Sequence, residues 1–255
     1  MSGLVWEEGA VPLLRWTGAP AGVTVAFTSR RGGASDGPLR SLNLGALTAD
    51  DAANVAENRR RAVEAAGGDG ARATMAWQVH GTEVREVDDR PAPGRFLEPG
   101  AEAFPKSDGL ATAVAGRPLV LLTADCLPVA IARRDGSRLA VLHAGWRGLA
   151  AGIVEQGVEA VGGPAAAAVG PGAGPCCYEV GDDVAGVLRE RFGDDVVRAG
   201  RADLWLAARR ALEGAGVAEV DVAGECSICG AERYFSHRRD NGITGRQGIV
   251  GMLDA

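Results

Sequence analysis

Three short apolar runs separated by turns constrain the fold of this chain more than any other feature. They span residues 118–123, 127–133 and 139–143. Each run has the length of a β-strand and is far too short to cross a membrane. Asp135 and Gly136, between the second and third runs, form a dipeptide that favours a tight β-hairpin. The pattern therefore predicts successive strands, with Cys126 between the first two and His143 at the end of the third.

The rest of the chain alternates between strand-like and helix-like patterns. Strands are predicted over residues 23–29, 74–79, 84–87, 165–169, 220–223 and 248–253, and helices over residues 50–66, 148–161, 182–192 and 204–214. Residues 90–106 are rich in Pro, Gly and Glu without periodicity, which favours a surface loop over a lid. Because no repeat or linker is visible, residues 1–255 are predicted to form one domain, in which residues 1–22 are an N-terminal extension.

Net charge and cysteine usage narrow the class of protein. The formal net charge is −6 at pH 7, which argues against a nucleic-acid or membrane-surface binder but leaves room for a local basic pocket. The first 15 residues lack the basic start and apolar core of a signal peptide. The 5 cysteines are spread along the chain and do not form the dense, even framework of a secreted disulfide-rich protein. We therefore expect a cytoplasmic protein with reduced thiols.

His80, Cys126 and His143 are the candidate metal ligands, because each stands at the end of a predicted strand. Cys and His are the donors that zinc prefers, and three protein ligands leave a fourth position open for water or substrate. Such a set would be catalytic as well as metal-binding. The alternative is that each is an isolated buried residue, as is common for a cysteine on an apolar run. Asp108 or Asp125 could orient an imidazole, and the sequence does not decide which.

Several arginines and one asparagine are candidates for binding a substrate. Arg147 lies where a strand is predicted to pass into a helix, so we expect it near the helix N-terminus, a favourable place for an anion. Asn43 fits either a turn or a substrate contact, and its local sequence favours the turn. The other candidates are Arg30 and Arg31 in a glycine-rich turn and Arg238, Arg239 and Arg246 near the C-terminus. The C-terminal arginines fit either a solvated face or a pocket wall.

The four remaining cysteines form two short motifs. Cys226 and Cys229 have the C-x-x-C spacing of a structural zinc site or a redox pair, but a single pair of this kind is a weak signal. Cys176 and Cys177 are adjacent, which is unfavourable for joint binding of one metal, so we expect packed thiols there.

A series of short motifs stands in a fixed order along the chain. They are Thr28-Ser29-Arg30-Arg31-Gly32-Gly33, Ser41-Leu42-Asn43-Leu44-Gly45, Gln78-Val79-His80-Gly81, Thr123-Ala124-Asp125-Cys126, His143-Ala144-Gly145-Trp146-Arg147-Gly148, Gly170-Pro171 through Cys176-Cys177-Tyr178-Glu179-Val180, Ser236-His237-Arg238-Arg239-Asp240 and Thr244-Gly245-Arg246. Together they resemble the laccase-domain family, also described as the YfiH-like or polyphenol-oxidase family. Two departures, Ser227 where Thr is frequent and His237 where Tyr is frequent, affect only the C-terminal wall of the expected site.

The resemblance implies both a fold and a function. The implied fold is α+β, a single layered domain with mixed β-sheets flanked by helices in an α/β/β/α arrangement. The implied function is that of a zinc enzyme with a purine nucleoside and phosphate as its partners. Its reactions would be phosphorolysis of adenosine, inosine, guanosine and methylthioadenosine, and deamination of adenosine. The family's metal ligands, two His and one Cys, match His80, Cys126 and His143.

The expected chemistry assigns roles to the polar residues. For deamination we expect metal-activated water to attack C6 of adenine, and for phosphorolysis we expect phosphate to attack C1′. Arg147, together with Arg30, Arg31 or Arg239, would hold the phosphate. Asn43 would help to bind the nucleoside.

The histidine count bears on the laccase name. A blue-copper centre needs two His and one Cys, which this chain could supply, but a multicopper oxidase needs many further histidines. The chain has 3 histidines, so only His237 would remain. We therefore expect zinc and regard copper binding as adventitious. The alternative functions are a metal-free cysteine hydrolase or acyltransferase, with Cys126 as nucleophile and His143 or His80 as base, and a non-enzymatic thiol-rich binding module.

Overall fold

Two β-sheets packed face to face form the centre of the protein, and helices cover their outer faces. The computed structural model describes residues 3–90, 96–100 and 104–255. The strands are β1 (Leu4–Glu7), β2 (Leu13–Trp16), β3 (Val23–Thr28), β4 (Thr74–Met75), β5 (Val84–Val87), β6 (Gly109–Thr112), β7 (Leu119–Thr123), β8 (Leu127–Arg133), β9 (Leu139–Ala144), β10 (Ala165–Val169), β11 (Val197–Arg198), β12 (Arg201–Ala202), β13 (Glu219–Val222) and β14 (Gln247–Leu253). The α-helices are α1 (Ala52–Ala65), α2 (Trp146–Ala151), α3 (Ile153–Val161), α4 (Asp182–Phe192) and α5 (Leu204–Gly214).

Both large sheets are mixed. The first has the strand order β1-β2-β3-β14-β7-β4 and the second the order β13-β10-β8-β9-β6-β5. Antiparallel pairs fill the centre of each sheet, while β4 with β7, β5 with β6 and β10 with β13 are parallel. Strands β11 and β12 form a separate small ribbon.

The alternation of side chains along β9 shows how the layers are built. Leu139 and Val141 pack with residues of the first sheet, whereas Ala140 and Leu142 pack with the helices on the other side. This partition follows from the two-residue period of a strand. Helix α1 covers the outer face of the first sheet, and α2 to α5 lie on the outer face of the second. The predicted α+β fold with mixed sheets between helices is confirmed.

The predicted strand over residues 74–79 is shorter than expected. Its ladder with β7 ends after Thr74–Met75. Beyond that point the side-chain amide of Gln78 replaces the backbone pairing, since its Nε2 donates to the Leu122 carbonyl at 2.6 Å and its Oε1 accepts from the Leu122 N–H at 2.9 Å. The chain is therefore released from the sheet shortly before His80 while remaining tied to β7.

The predicted helix over residues 148–161 is two helices. Gly152 separates α2 from α3 with a φ of 100°, a left-handed conformation that glycine adopts readily. Its N–H donates to the Gly148 carbonyl at 2.9 Å and closes the end of α2. The apolar spacing continues across the break, so periodicity alone did not reveal it. As a result α2 begins at the end of β9, and α3 packs over the second sheet.

The connections around β8 differ from each other. The turn at Asp135 and Gly136 joins β8 to β9 as the predicted hairpin, and Gly136 has a φ of 71°. The connection from β7 to β8 instead passes from the first sheet to the second, because those strands belong to different sheets. Cys126 lies in this crossover, at one end of the sandwich.

Other sequence predictions concern peripheral segments. Strands β1 and β2, which lie in the predicted N-terminal extension over residues 1–22, continue the first sheet beside β3. The assignment of residues 1–255 to one domain stays a prediction. Within the loop predicted over residues 90–106, residues 91–95 and 101–103 lie outside the described residues. Among the helices that the structure describes, none combines the length and apolar character needed to cross a membrane. Cytoplasmic location stays a prediction.

Candidate active site

His80, Cys126 and His143 come together at the end of the sandwich where the chain crosses between the sheets. Their ligand atoms all lie within 4.8 Å of one another. The two imidazole rings meet edge to face with their centroids 4.9 Å apart. His143 ends β9 and is buried, Cys126 is half-buried, and His80 is exposed in the turn after β4. We call these three residues the His/Cys site.

Asp108, immediately before β6, organises the two histidines. Its carboxylate accepts backbone N–H bonds from Val79 at 3.0 Å, His80 at 2.9 Å and Gly81 at 2.7 Å. Its Oδ1 also lies 2.8 Å from Nδ1 of His143. One fully buried carboxylate therefore fixes the backbone that carries His80 and the ring of His143. The sequence left Asp108 and Asp125 as alternatives for this role, and the structure gives it to Asp108.

The ionisation of Asp108 determines which histidine nitrogen faces the site. Burial alone would raise its pKa, but the hydrogen bond from His143 and the backbone N–H groups of Gly81 and Val79 outweigh it and lower the pKa to about 2. An ionised carboxylate only accepts hydrogen bonds, so Nδ1 of His143 is the protonated nitrogen that donates to it. Nε2 of His143 is left for the site.

Cys126 and His143 shift each other's ionisation. Burial opposes the charged form of Cys126, yet the adjacent His143 and His80 lower its pKa to about 6. Burial also opposes the charged form of His143, but the Cys126 thiolate and the hydrogen bond to Asp108 raise its pKa. Both pKa shifts favour the ion pair of a Cys126 thiolate and a His143 imidazolium over the neutral pair.

The surroundings of the His/Cys site fit a metal ion. Two imidazoles and one thiolate are donors that zinc prefers, and the carboxylate behind His143 is the usual partner of a metal-ligating histidine. Gly145 provides the necessary space: a Cβ there would lie 2.8 Å from the Cys126 sulfur and 3.2 Å from the His80 ring. Only glycine allows the start of α2 to approach the donors this closely.

Two residues of the site hold strained backbone conformations. His80 has a φ of 61° and Asp125 a φ of 92°, both in the left-handed region that side chains disfavour. The Asp125 carboxylate accepts from Ser227 Oγ at 2.7 Å and from the Arg238 N–H at 2.7 Å. These bonds hold Asp125 in place and thereby fix the position of Cys126, the next residue.

A cavity of about 490 Å³ opens beside the His/Cys site. Its wall includes all three candidate ligands together with Arg147, which was predicted from the sequence. Large apolar and aromatic side chains form much of the remaining surface, namely Met75, Trp77, Phe104, Leu122, Trp146 and Tyr178. The cavity can therefore hold a flat, partly apolar molecule against the metal-binding residues.

Three arginines of the cavity wall carry charge that no ion pair within the described residues neutralises: Arg147, Arg238 and Arg246. The Arg147 guanidinium lies 4.5 Å from the centre of the Trp146 ring, and that of Arg238 lies 5.0 Å from the Tyr178 ring. Arg246 is half-buried, and burial lowers its pKa against the attraction of Asp125 and Cys126. The cavity wall thus presents three guanidinium groups, which suits an anionic ligand.

The other predicted arginines do not line this cavity. Arg30 donates to the backbone carbonyls of Arg40 and Ala231 and stacks 4.6 Å from the Phe235 ring. Arg239 donates to three backbone carbonyls and pairs with the neighbouring carboxylate, and Arg31 is exposed. Their roles in holding phosphate stay predictions.

Asn43 is fully buried behind the cavity wall. Its Oδ1 accepts from the N–H groups of Gly45 at 3.0 Å and Arg246 at 2.9 Å. Its Nδ2 donates to Thr48 and Asp50. The side chain therefore shapes a turn and holds the backbone of Arg246, and its role as a nucleoside contact stays a prediction.

Of the C-terminal arginines, only Arg239 was predicted from the sequence to hold the phosphate. Arg238 and Arg246 were left between a solvated face and a pocket wall, and the structure places both in the wall. Tyr178 and His237 also line the cavity. Nothing in an Arg-Arg dipeptide tells which guanidinium faces a pocket, because that depends on the turn that carries it.

Comparison with known proteins agrees with the geometry. Residues 24–254 match the family model described as multi-copper polyphenol oxidoreductase laccase. A Xylella fastidiosa (strain Temecula1) protein named purine nucleoside phosphorylase is 42% identical over 240 residues, covering 87% of this chain and 89% of that protein. The Geobacillus stearothermophilus protein named purine nucleoside phosphorylase YlmD is 37% identical over 263 residues, covering 95% of this chain and 94% of its own.

The solved structures agree as well. The crystal structure of YlmD from Geobacillus stearothermophilus superposes with a TM-score of 0.88 at 34% identity, covering 98% of this chain and 99% of that one. A Bacillus licheniformis protein titled hypothetical protein YfiH gives the same TM-score of 0.88 at 29% identity. The chain therefore belongs to the multi-copper polyphenol oxidoreductase laccase family, as the order of its motifs predicted.

Proposed function

We propose that this protein is a zinc-dependent purine nucleoside phosphorylase. The observation that carries the proposal is the position of three Cys and His donors, within 4.8 Å of one another, in the wall of a cavity that Arg147, Arg238 and Arg246 also line. Relatives named purine nucleoside phosphorylase support the assignment at up to 42% identity among those compared. The proposed substrates are adenosine, inosine, guanosine and methylthioadenosine.

The cavity suits a nucleoside in size and character. A volume of about 490 Å³ lies within the usual range of small-molecule sites. The purine would pack against aromatic side chains of the wall, such as Trp146 and Tyr178, which offer flat apolar surfaces. His237 offers a hydrogen-bonding edge at the same wall. These contacts would hold the nucleoside with its glycosidic bond near the arginines.

The arginines would bind and orient phosphate. Arg147, Arg238 and Arg246 present N–H donors that no carboxylate of the described residues occupies as an ion pair. A phosphate oxygen attacks C1′ of the ribose, the bond from C1′ to the purine nitrogen breaks, and the purine leaves with the bonding electron pair and takes up a proton. Holding both reactants in line accounts for much of the expected rate enhancement.

Zinc bound by His80, Cys126 and His143 would supply Lewis acidity and lower the pKa of a bound water. The same cavity is the proposed place of adenosine deamination, in which water adds at C6 and ammonia leaves. Asp108 would hold His143 in the correct tautomer throughout, because it accepts the Nδ1 proton. Copper binding to this donor set is proposed to be adventitious.

Three of the predicted substrate contacts are better placed to position other groups. We propose that Asn43 acts through Arg246, whose backbone it holds. Arg239 would act through the Ser227–Ile228 turn, because it donates to both carbonyls of that turn. Arg30 would fix the loop around Phe235 in a similar way.

The test is a substrate panel on protein of known metal content, prepared without a polyhistidine tag. Inosine and adenosine are incubated with and without phosphate, and the products are identified by mass. The proposal predicts free base and ribose 1-phosphate in equal amounts, formed only with phosphate. The Cys126→Ala variant should release none, whereas Arg198→Gln, at an arginine that is 80% exposed on β11, should match the native protein. Base release that is independent of phosphate would contradict it.

A second candidate, a metal-free cysteine hydrolase or acyltransferase, is favoured by one specific observation. Cys126, His143 and Asp108 stand in the order of a nucleophile, a base and an orienting carboxylate, and Cys126 has a lowered pKa. In this function the thiolate would attack an acyl carbon. The effect of a chelator on catalytic activity separates the two candidates. Full activity after zinc removal favours the hydrolase, whereas phosphate-dependent base release that is lost on chelation and returns with zinc favours the phosphorylase.

A further inference from the structure

Four cysteines outside the His/Cys site converge on one point. Cys176 and Cys177 follow β10, while Cys226 and Cys229 follow β13. Their four sulfur atoms all lie within 4.8 Å of one another, and those of Cys176 and Cys229 are 3.6 Å apart. All four are free thiols. We call them the thiol cluster. The sequence predicted packed thiols for the adjacent pair, and the structure brings that pair to the C-x-x-C turn.

The spacing of the sulfurs fits tetrahedral coordination. Zinc–sulfur bonds of ~2.3 Å in a tetrahedron place the sulfur atoms about 3.8 Å apart. The measured separation of 3.6 Å between Cys176 and Cys229 is close to this value and far beyond a disulfide bond of ~2.05 Å. All other separations need only a small contraction, since none exceeds 4.8 Å.

The C-x-x-C turn is already arranged to hold a thiolate. The Cys226 sulfur accepts the N–H of Gly174 at 3.3 Å, and the N–H groups of Ile228 and Cys229 in its own turn also point at it. Backbone N–H groups directed at a sulfur stabilise its negative charge. The Cys226 carbonyl accepts the Gly230 N–H at 2.9 Å and closes the turn.

The loop that carries the other two cysteines is held against this turn. The Gly174 carbonyl accepts from the N–H groups of Cys177 at 3.0 Å and Tyr178 at 2.9 Å, so the adjacent cysteines lie on a tight turn. A Cβ at Gly174 would lie 2.5 Å from the Trp205 ring and 3.3 Å from Cβ of Cys226. Glycine is therefore required for the two segments to approach, and their closeness is a built feature rather than an accident of surface loops.

We propose that the thiol cluster is a second metal site, in which four thiolates bind one zinc ion and leave no open position. Thiolates are the ligands that a soft site offers to zinc, and four protein ligands are typical of structural rather than catalytic zinc. Cys176 and Cys229 are exposed, which provides an entry path for the ion. The site is distinct from the His/Cys site and does not depend on the proposed phosphorylase function.

The position of the thiol cluster indicates what the ion would do. Ser227, inside the C-x-x-C turn, donates its hydroxyl to Asp125 at 2.7 Å, and Asp125 precedes the ligand Cys126. Tyr178, next to Cys177, lines the cavity. A metal that joins the two loops would therefore brace the cavity wall from behind.

The test counts zinc in the full-length protein, expressed with zinc and purified without a polyhistidine tag or chelator. The expected content is two zinc ions per chain in the native protein and one in each of Cys229→Ser, Cys176→Ser and Cys126→Ser. The Cys126→Ser Cys229→Ser double variant should hold none. After cobalt replacement, the sulfur-to-cobalt charge-transfer absorption should fall more in Cys229→Ser than in Cys126→Ser. The first variant loses the ion that is bound by four thiolates, whereas the second loses the ion that is bound by one.

A measurement on the native chain keeps the proposal falsifiable if a serine variant fails to fold. Peptide mapping after alkylation should find Cys176 and Cys229 protected in the zinc-loaded protein and reactive after chelation. The proposal is overturned if the native protein holds a single zinc that Cys229→Ser retains. It is also overturned if the two exposed thiols react equally with and without chelator, or if Cys176 and Cys229 are recovered as a disulfide-linked peptide pair from protein handled without oxidant.

Discussion

The His/Cys site and the thiol cluster both gather soft donors, yet they are built differently. The first takes its donors from a strand end, a crossover between sheets and a turn, and it opens into a cavity of about 490 Å³. The second takes its donors from two loops and contains four cysteines without a histidine. Three donors beside a cavity leave room for a reactant, whereas four donors in a closed cluster leave none.

The polar groups behind the donors differ in the same way. In the His/Cys site a buried carboxylate, Asp108, sets the tautomer of His143 and fixes the turn of His80. In the thiol cluster, backbone N–H groups point at the Cys226 sulfur, and no carboxylate in the part of the chain that the structure describes hydrogen-bonds to that sulfur. A carboxylate orients a histidine ligand and raises its basicity, while N–H groups stabilise thiolate charge. The number of donors and the partners behind them are therefore the features in which the proposed reactive site and the proposed structural site differ.

The strongest test of this difference is Cys126→Ala. Removing a donor from a three-ligand site should reduce phosphorolysis to background, because the loss exceeds the ~10- to 100-fold cost of losing an outer partner. The Cys229→Ser variant should keep most of its turnover, since its sulfur does not line the cavity. Initial rates of base release under saturating phosphate measure both. Equal loss of activity in the two variants would abolish the distinction between a reactive and a bracing site.

The ionisation of the thiols provides the next test, on protein stripped of metal. The pKa of Cys126 is lowered from 9.0 to about 6 against burial by the two histidines, so its thiolate is present above about pH 6 and is lost as the pH falls through that value. In the thiol cluster, partial burial and the neighbouring sulfurs raise the pKa of Cys176. Alkylation followed by peptide mapping at neutral pH should therefore modify Cys126 before Cys176.

The pH dependence of that alkylation carries its own control. In His143→Gln the midpoint for Cys126 should move upward toward the ordinary value, because the main source of positive charge is gone. If Cys126 of the metal-free native protein is instead alkylated with a midpoint near pH 9, the ordinary value for a cysteine, the histidines do not lower its pKa as the geometry requires.

Asp108→Asn probes the carboxylate that distinguishes the His/Cys site. In the variant, the side-chain NH2 group would face a donor that hydrogen-bonds to a carboxylate oxygen in the native protein, such as the Gly81 N–H or His143 Nδ1. The negative charge beside His143 would also be lost. Zinc affinity at this site should fall by about 10- to 100-fold. Competition with a coloured chelator, in the Cys229→Ser background so that one site is counted, measures it.

The matched control for that substitution is Asp89→Asn, where the carboxylate is 77% exposed and pairs with Arg72 at 3.2 Å. Surface pairs of this kind contribute little, so its zinc affinity should equal that of the parent. If both asparagine variants bind zinc like the parent, Asp108 has no influence on the ligands.

The smallest expected effect concerns the arginines of the cavity wall, which have no counterpart among the donors of the thiol cluster. Arg246→Gln should raise KM for phosphate by about tenfold and change KM for the nucleoside little, which corresponds to one charge-assisted hydrogen bond. Arg198→Gln is the matched control on an exposed strand. The same KM for phosphate in both variants would remove Arg246 from the anion-binding wall.

Much of the His/Cys site could be predicted from the sequence, because strand ends are readable. The apolar runs fixed where Cys126 and His143 would stand, and the predicted strand over residues 74–79 pointed to His80, although the observed strand ends at Met75. The direction of the arginines could not be read in this way. Arg238 faces the cavity while Arg239 turns inward to backbone carbonyls, and this difference depends on the loop conformation.

The thiol cluster shows a second limit of sequence reasoning. Between the adjacent Cys-Cys pair and the C-x-x-C pair, 48 residues separate Cys177 from Cys226, and no local pattern links the two pairs. Their meeting depends on parallel pairing of β10 with β13, which places the loops after both strands side by side. Register between distant strands is a property of the folded sheet and not of either segment alone.

The most direct measurement of the central claim is base release from inosine by protein of known zinc content, with phosphate and zinc each present or absent. The account predicts hypoxanthine and ribose 1-phosphate in equal amounts only when both are present, with full loss of release on chelation and recovery on adding zinc. Hypoxanthine formed without phosphate, or an undiminished rate in the chelated protein, would contradict it.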